Sequence, residues 1–148
     1  MKNYALDKHE LVSTKGLTLA QLIKNTEKMR KYRSDDIVIK GIKKGKTKNG
    51  RAVIHAIMSS GSDKTKSYQT WITIMTEGQN RIPPNQKVQV QCSCDDYIFT
   101  WEYANAAHRA ARIFFGTGEA PDFKNPGLEY GLCKHLYALA HHLLPSAK

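Results

Sequence analysis

The stretch Gln91-Cys-Ser-Cys-Asp95 constrains the fold of this chain more than any other. It holds two of the three cysteines, one residue apart. The third, Cys133, stands in Leu132-Cys-Lys-His-Leu136, one residue from His135. On a strand, residues i and i+2 point to the same face, so Cys92 and Cys94 can grip one metal ion as a pincer. Cys133 and His135 cannot do this from a helix interior, where i and i+2 diverge by roughly 200°. They can do it at a helix start, with Cys133 in the turn and His135 in the first helical turn. Gly131 permits that turn, and the apolar periodicity of Leu132, Leu136, Leu139, Ala140 and Leu143 begins at once. The spacing predicts a strand pincer facing a helix-N-terminal pincer.

Three thiolates and one imidazole make a closed tetrahedral set. Zinc is the first choice for it, with Zn–S about 2.3 Å and Zn–N about 2.0–2.1 Å. An iron–sulfur cluster with one His ligand is the rarer alternative. No ligand position is left for water, so a single ion here is expected to be structural, and its binding adds directly to folding. The metal also closes the connection formed by residues 95–132. Three cysteines are too few, and odd in number, for a disulfide framework, and a reducing compartment suits them better.

Cys-x-Cys followed at a distance by Cys-x-His, after β-strands and ahead of a helix, resembles the SWIM zinc finger. The resemblance covers about residues 88–144 and is carried by Cys92-Ser-Cys-Asp95 and by Leu132-Cys-Lys-His-Leu-Tyr-Ala-Leu139. It implies zinc at Cys92, Cys94, Cys133 and His135, a ββα-like metal core, and a module that binds DNA or protein. The spacer between the two pairs is long for that family. With Trp101-Glu-Tyr-Ala-Asn105 and Asn125-Pro-Gly-Leu128 inside it, the spacer is similar to versions found in tailed bacteriophages. That likeness implies a virion role.

The rest of the chain reads as α+β. At 148 residues it suits one domain, with residues 1–17 as an arm and 18–148 as the domain proper. Thr18 and Gln21 have capping-box spacing, and Leu19, Leu22, Ile23 and Thr26 share a face, so a helix is expected over about 18–31. Residues 36–42, 51–60, 67–76 and 87–93 are β-branched and alternating, which predicts a meander of antiparallel strands. Asn49-Gly50 supplies a turn with positive φ between the first two. Residues 77–86 contain Pro83-Pro84 and read as a loop. Residues 97–103 read as a further strand. Residues 105–115 read as a short helix capped by Asn105 and ended by Gly116, and 116–131 as a loop. The last helix is expected from about Leu132 to Leu144.

The formal net charge is +10. Residues 1–66 carry 16 Lys and Arg against 6 Asp and Glu, whereas residues 67–148 carry 7 of each. The surplus gathers at Lys40, Lys43, Lys44, Lys46, Lys48 and Arg51, a basic hairpin tip. It is not a phosphate-binding loop, because Gly41 and Gly45 enclose three residues where that motif needs four, and a strand follows. His108, Arg109 and Arg112 lie close together on the expected inserted helix. These cations suit nucleic-acid phosphates or an acidic partner, and equally a solvated edge that resists pairing with other edges. Trp71, Tyr97, Phe99 and Trp101 alternate on presumed strands and read as sheet core rather than as base-stacking platforms.

No catalytic constellation emerges. Cys133 and His135 have a second thiol pair for a partner rather than an orienting group, and the adjacent His141 and His142 cannot share a helix face. No apolar run approaches a membrane span, and the N-terminus lacks a secretory signal. The expectation is a non-enzymatic, zinc-stabilised binding or assembly protein in a virion or host cytoplasm. Its partners would be other protein subunits of an assembly, or nucleic acid, with no membrane and no small-molecule substrate.

Overall fold

A computed structural model of the chain describes residues 3–60, 63, 65–76, 86–121 and 124–145. Five strands form one antiparallel sheet: β1 (Leu17–Thr18), β2 (Ile39–Lys46), β3 (Ala52–Ser59), β4 (Ser67–Ile74) and β5 (Lys87–Cys92). Their spatial order is β1-β5-β4-β3-β2, so β2 to β5 are the expected meander. Gly50 makes the β2–β3 turn at a φ of +78°. The loop expected over 77–86 lies, apart from Gln86, outside the described residues.

The pleat sorts the sheet into two faces. Ala56 and Met58 of β3, Ile72 of β4, and Val88, Val90 and Cys92 of β5 turn inward. They pack under α1 (Leu19–Lys24) and α4 (Lys134–Leu143). Leu19, Leu22, Ile23, Leu136 and Leu139 are completely buried there. Val53, His55, Trp71, Gln89 and Gln91 turn to the other face and stay half-exposed. No described helix is long and apolar enough to cross a membrane.

The expected 18–31 helix is instead two helices, α1 and α2 (Lys28–Arg33). Its start follows the capping box: Gln21 N–H donates to Thr18 Oγ1 at 3.1 Å, and Thr18 N–H donates to Gln21 Oε1 at 2.8 Å. The break at Asn25-Thr26 has a tertiary cause. The Asn25 amide donates to the Tyr130 carbonyl at 2.9 Å, and Thr26 Oγ1 accepts from Leu132 N–H at 3.2 Å. Both side chains are drawn to the segment that leads into Cys133.

The strand expected over 97–103 is helical. A π-helical turn (Tyr97–Trp101) runs directly into α3 (Glu102–Ala107). Tyr97, Trp101 and Ala104 are buried on one face, whereas Phe99 is 60% exposed. The apparent two-residue alternation of aromatics is therefore two side chains on the buried face of a helix and one, Phe99, on its exposed side. Asn105 is not a cap. It sits inside α3, and its amide pins both backbone groups of Gly131, donating at 2.9 Å and accepting at 3.1 Å. The helix ends at Ala107 rather than at Gly116, with Arg109 left-handed at a φ of 61°. Gly131 has no positive φ; a Cβ there would stand 3.0 Å from the Trp101 ring, so close approach is what requires glycine.

The segment after α3 returns along the sheet. Val90 N–H donates to the Ala110 carbonyl at 2.8 Å, so Ala110 and β1 together cover the outer edge of β5. Residues 3–16 lie against α3 and this return. Tyr4 forms an antiparallel bridge to Ile113, and Leu6 packs with Ala106, Ala107 and Ala111. The edge of β2 carries no neighbouring strand among the described residues.

Glu102 organises the return. It is 1% exposed, yet its carboxylate accepts from Phe114, Phe115 and Gly116 N–H and from the Gln91 amide, at 2.8–3.2 Å. A buried carboxylate is tolerated only when hydrogen-bonded in this way. Glu102→Ala removes one acceptor from four donors and should lower stability by about 2–4 kcal/mol in urea unfolding. A loss under about 0.5 kcal/mol would show that those donors find water instead.

Candidate metal centre

Two local structures create the site. β5 ends at Cys92, and Ser93 extends its pairing with β4: its N–H donates to the Gln69 carbonyl at 3.0 Å, and its Oγ accepts from Gln69 N–H at 2.9 Å. Cys94 lies just past the strand, where the chain turns into the helical segment. Cys133 is the N-cap of α4, and His135 stands in its first turn. The candidate ligand atoms of Cys92, Cys94, Cys133 and His135 all lie within 4.8 Å of one another, and all four side chains are buried. The two pairs therefore face each other, although the first is not the all-strand pincer the spacing predicts, because Cys94 lies past the end of β5.

The donors fit a metal ion on three counts. First, the three cysteines are free thiols packed together, with no disulfide among them. Second, each sulfur accepts a backbone N–H: Cys92 from Cys94 at 3.5 Å, Cys94 from Tyr97 at 3.4 Å, and Cys133 from Leu136 at 3.4 Å. Amides aimed at sulfur favour thiolate, and the N-terminus of α4 adds its dipole at Cys133. Third, Nδ1 and Nε2 of His135 are both buried and find no hydrogen-bond partner among the described residues. Coordination removes one of those two orphans, which would otherwise carry a desolvation cost. The Tyr68 ring, 4.7 Å from the imidazole, helps to close the site.

The protonation pattern agrees. Burial pushes the Cys92 and Cys133 thiols well up, whereas hydrogen bonds from Cys133 and then Cys92 push Cys94 down. Three thiolates in one buried pocket need a divalent cation between them. Cys92, Cys94, Cys133 and His135 could together hold one zinc ion.

Comparison with known protein families, curated proteins and solved structures gives no match. The SWIM resemblance therefore rests on the two ligand pairs themselves.

The basic residues do not form one patch. Lys43 stands opposite His55 on the outer face, whereas Lys44 and Lys46 stand opposite Ile54 and Ala52 on the other. Lys40 Nζ donates to Ser67 Oγ at 2.8 Å, and Lys48 is exposed in the turn. His108, Arg109 and Arg112 share no helix face, because α3 has ended; His108 bonds instead with the Leu128 carbonyl at 3.0 Å. Arg112 joins Arg51 in a groove on the outer sheet face, a pairing of residues distant in sequence. A second exposed cluster, Asp7, His9 and Glu10, lies on the 3-10 turn at Lys8–Glu10.

Cys133→Ser should remove zinc from the purified chain and lower the thermal midpoint by roughly 10 °C or more. The control Lys48→Gln should move it by no more than about 2 °C. Equal midpoints for wild type and Cys133→Ser would mean that no metal supports the fold.

Proposed function

We propose that this chain is a non-enzymatic, zinc-stapled binding and assembly protein that serves as a structural component of a bacteriophage virion. The observation that carries the non-enzymatic part is the complete burial of the four-ligand cluster. Cysteine and histidine occupy every position of a tetrahedral ion, so the metal offers nothing to a substrate. Its work is to hold α4 against the sheet, and recognition happens elsewhere on the surface.

The virion part rests on the long spacer and its likeness to tailed-phage modules. The edge of β2, which has no neighbouring strand among the described residues, supports it. Ile39–Lys46 is an edge strand to which a neighbouring subunit can add a strand. The lysines on that edge favour an acidic neighbour and discourage self-pairing. Mass spectrometry of washed virions should find this chain at a fixed ratio to the major structural proteins of the particle. Its absence from particles, together with abundance in the lysate, would overturn the reading.

A second reading, a nucleic-acid-binding accessory protein, is favoured by the pairing of Arg51 and Arg112 on the outer sheet face. Binding to DNA at physiological salt, with affinity falling steeply as salt rises, would support it. No binding to duplex or single-stranded DNA at any salt would remove it.

A further inference from the structure

We propose that the outer sheet face is a binding groove for single-stranded nucleic acid, with a base against Trp71 and backbone phosphates at Arg51 and Arg112. This rests on, and sharpens, the second of the two readings above, and it does not involve the metal.

The groove encloses about 350 Å³, within the range of small-ligand sites. Its floor is the half of β3, β4 and β5 that turns away from the core. The groove is lined by Trp71 of β4. The His55 imidazole lies parallel to it, with ring centroids 5.0 Å apart and planes within 7°. Phe114, which also lines the groove, stands 6.1 Å from the Trp71 ring and forms an aromatic wall. Such ledges stack bases of any sequence.

The polar lining has one sign. Arg51 and Arg112 enter the groove with the amides of Gln89, Gln91 and Asn49 and the hydroxyl of Thr73. No Asp or Glu lines it among the described residues. Arg51 Nε is buried and finds no hydrogen-bond partner among those residues. Arg112 makes one long bond, to the Asn3 carbonyl at 3.4 Å. Two guanidinium groups without a carboxylate partner in the groove fit phosphate, the anion that arginine binds in bidentate fashion. Lys43 and Lys48 stand exposed on β2 and its turn, so a chain leaving the groove meets further positive charge. Aromatic ledge, amides and paired arginines side by side are what a strand with unstacked bases needs. A duplex hides its base faces and does not.

Glu102 is a positioning residue for this site. It lies behind the groove and fixes Phe114, Phe115 and the Gln91 amide through its carboxylate.

The test uses the full-length, zinc-loaded chain and a fluorescein-labelled 20-mer of thymidylate, read by anisotropy at rising salt. The two tryptophans separate location from affinity, since Trp71 is half-exposed and Trp101 is buried. Unlabelled 20-mer should quench the fluorescence that Trp71→Phe removes. Trp71→Ala should weaken binding about tenfold, and Trp71→Phe should restore most of it. Arg51→Gln with Arg112→Gln should flatten the slope of log affinity against log salt by about 1.4. Lys24→Gln with Lys28→Gln, an equal charge loss on the helical side, should change affinity less than twofold. Circular dichroism and zinc content should match wild type in every variant, which separates failure here from failure of the metal site. The proposal is overturned if the 20-mer does not bind at low salt. Binding that survives both groove variants overturns it too. Thymidine monophosphate binding as tightly as the 20-mer would assign the groove to a free nucleotide instead, and duplex of the same length binding more tightly would also contradict it.

Discussion

The meeting of Cys92, Cys94, Cys133 and His135 decides where the C-terminal helix sits. Two ligands come from the end of the meander and two from the start of α4, so an ion bound by all four would join the sheet to the helix that covers it. A thiolate cluster of this kind is unstable without its cation, since burial pushes Cys92 and Cys133 toward the neutral thiol. Metal binding at such a cluster would add directly to the folding free energy of this part of the chain.

The segment approaching Cys133 is held at three points before it reaches the metal. Asn25 and Thr26 hold Tyr130 and Leu132 through their backbone groups. Asn105 holds Gly131 on both sides. Trp101 packs against Gly131 from below, and Arg30 stacks over that same ring, 5.2 Å away, while its guanidinium pairs with Asp96 at 2.7 Å. These contacts set α1, α2, the π-helical turn and α3 around one short stretch of chain. They bring Cys133 to the cluster in one position, which is how a preorganised metal site gains selectivity for its geometry.

The ligands and the strands were legible in the sequence for different reasons. Cysteine is scarce here, and a one-residue gap at both pairs leaves few geometries. The strands of the meander are β-branched and alternate cleanly. The helical segment at Tyr97–Trp101 was not legible, because aromatics at 97, 99 and 101 imitate a strand while only two of them face the core. Asn25-Thr26 broke a helix that local propensity favours, since their partners lie more than a hundred residues away. Nothing in the sequence marks Glu102 as buried, because its burial depends on amides at 114–116 that the sequence does not link to it. The groove was hidden for the same reason: Arg51, Trp71 and Arg112 meet only once the sheet has formed.

The most direct measurement is zinc K-edge X-ray absorption on the chain purified without chelator. The expected spectrum has a first shell of three sulfurs at about 2.3 Å and one nitrogen at about 2.0 Å, with no exchangeable water. A folded chain that contains no zinc and three free thiols, or a zinc shell with an open water-bound position, would contradict the closed four-ligand clamp.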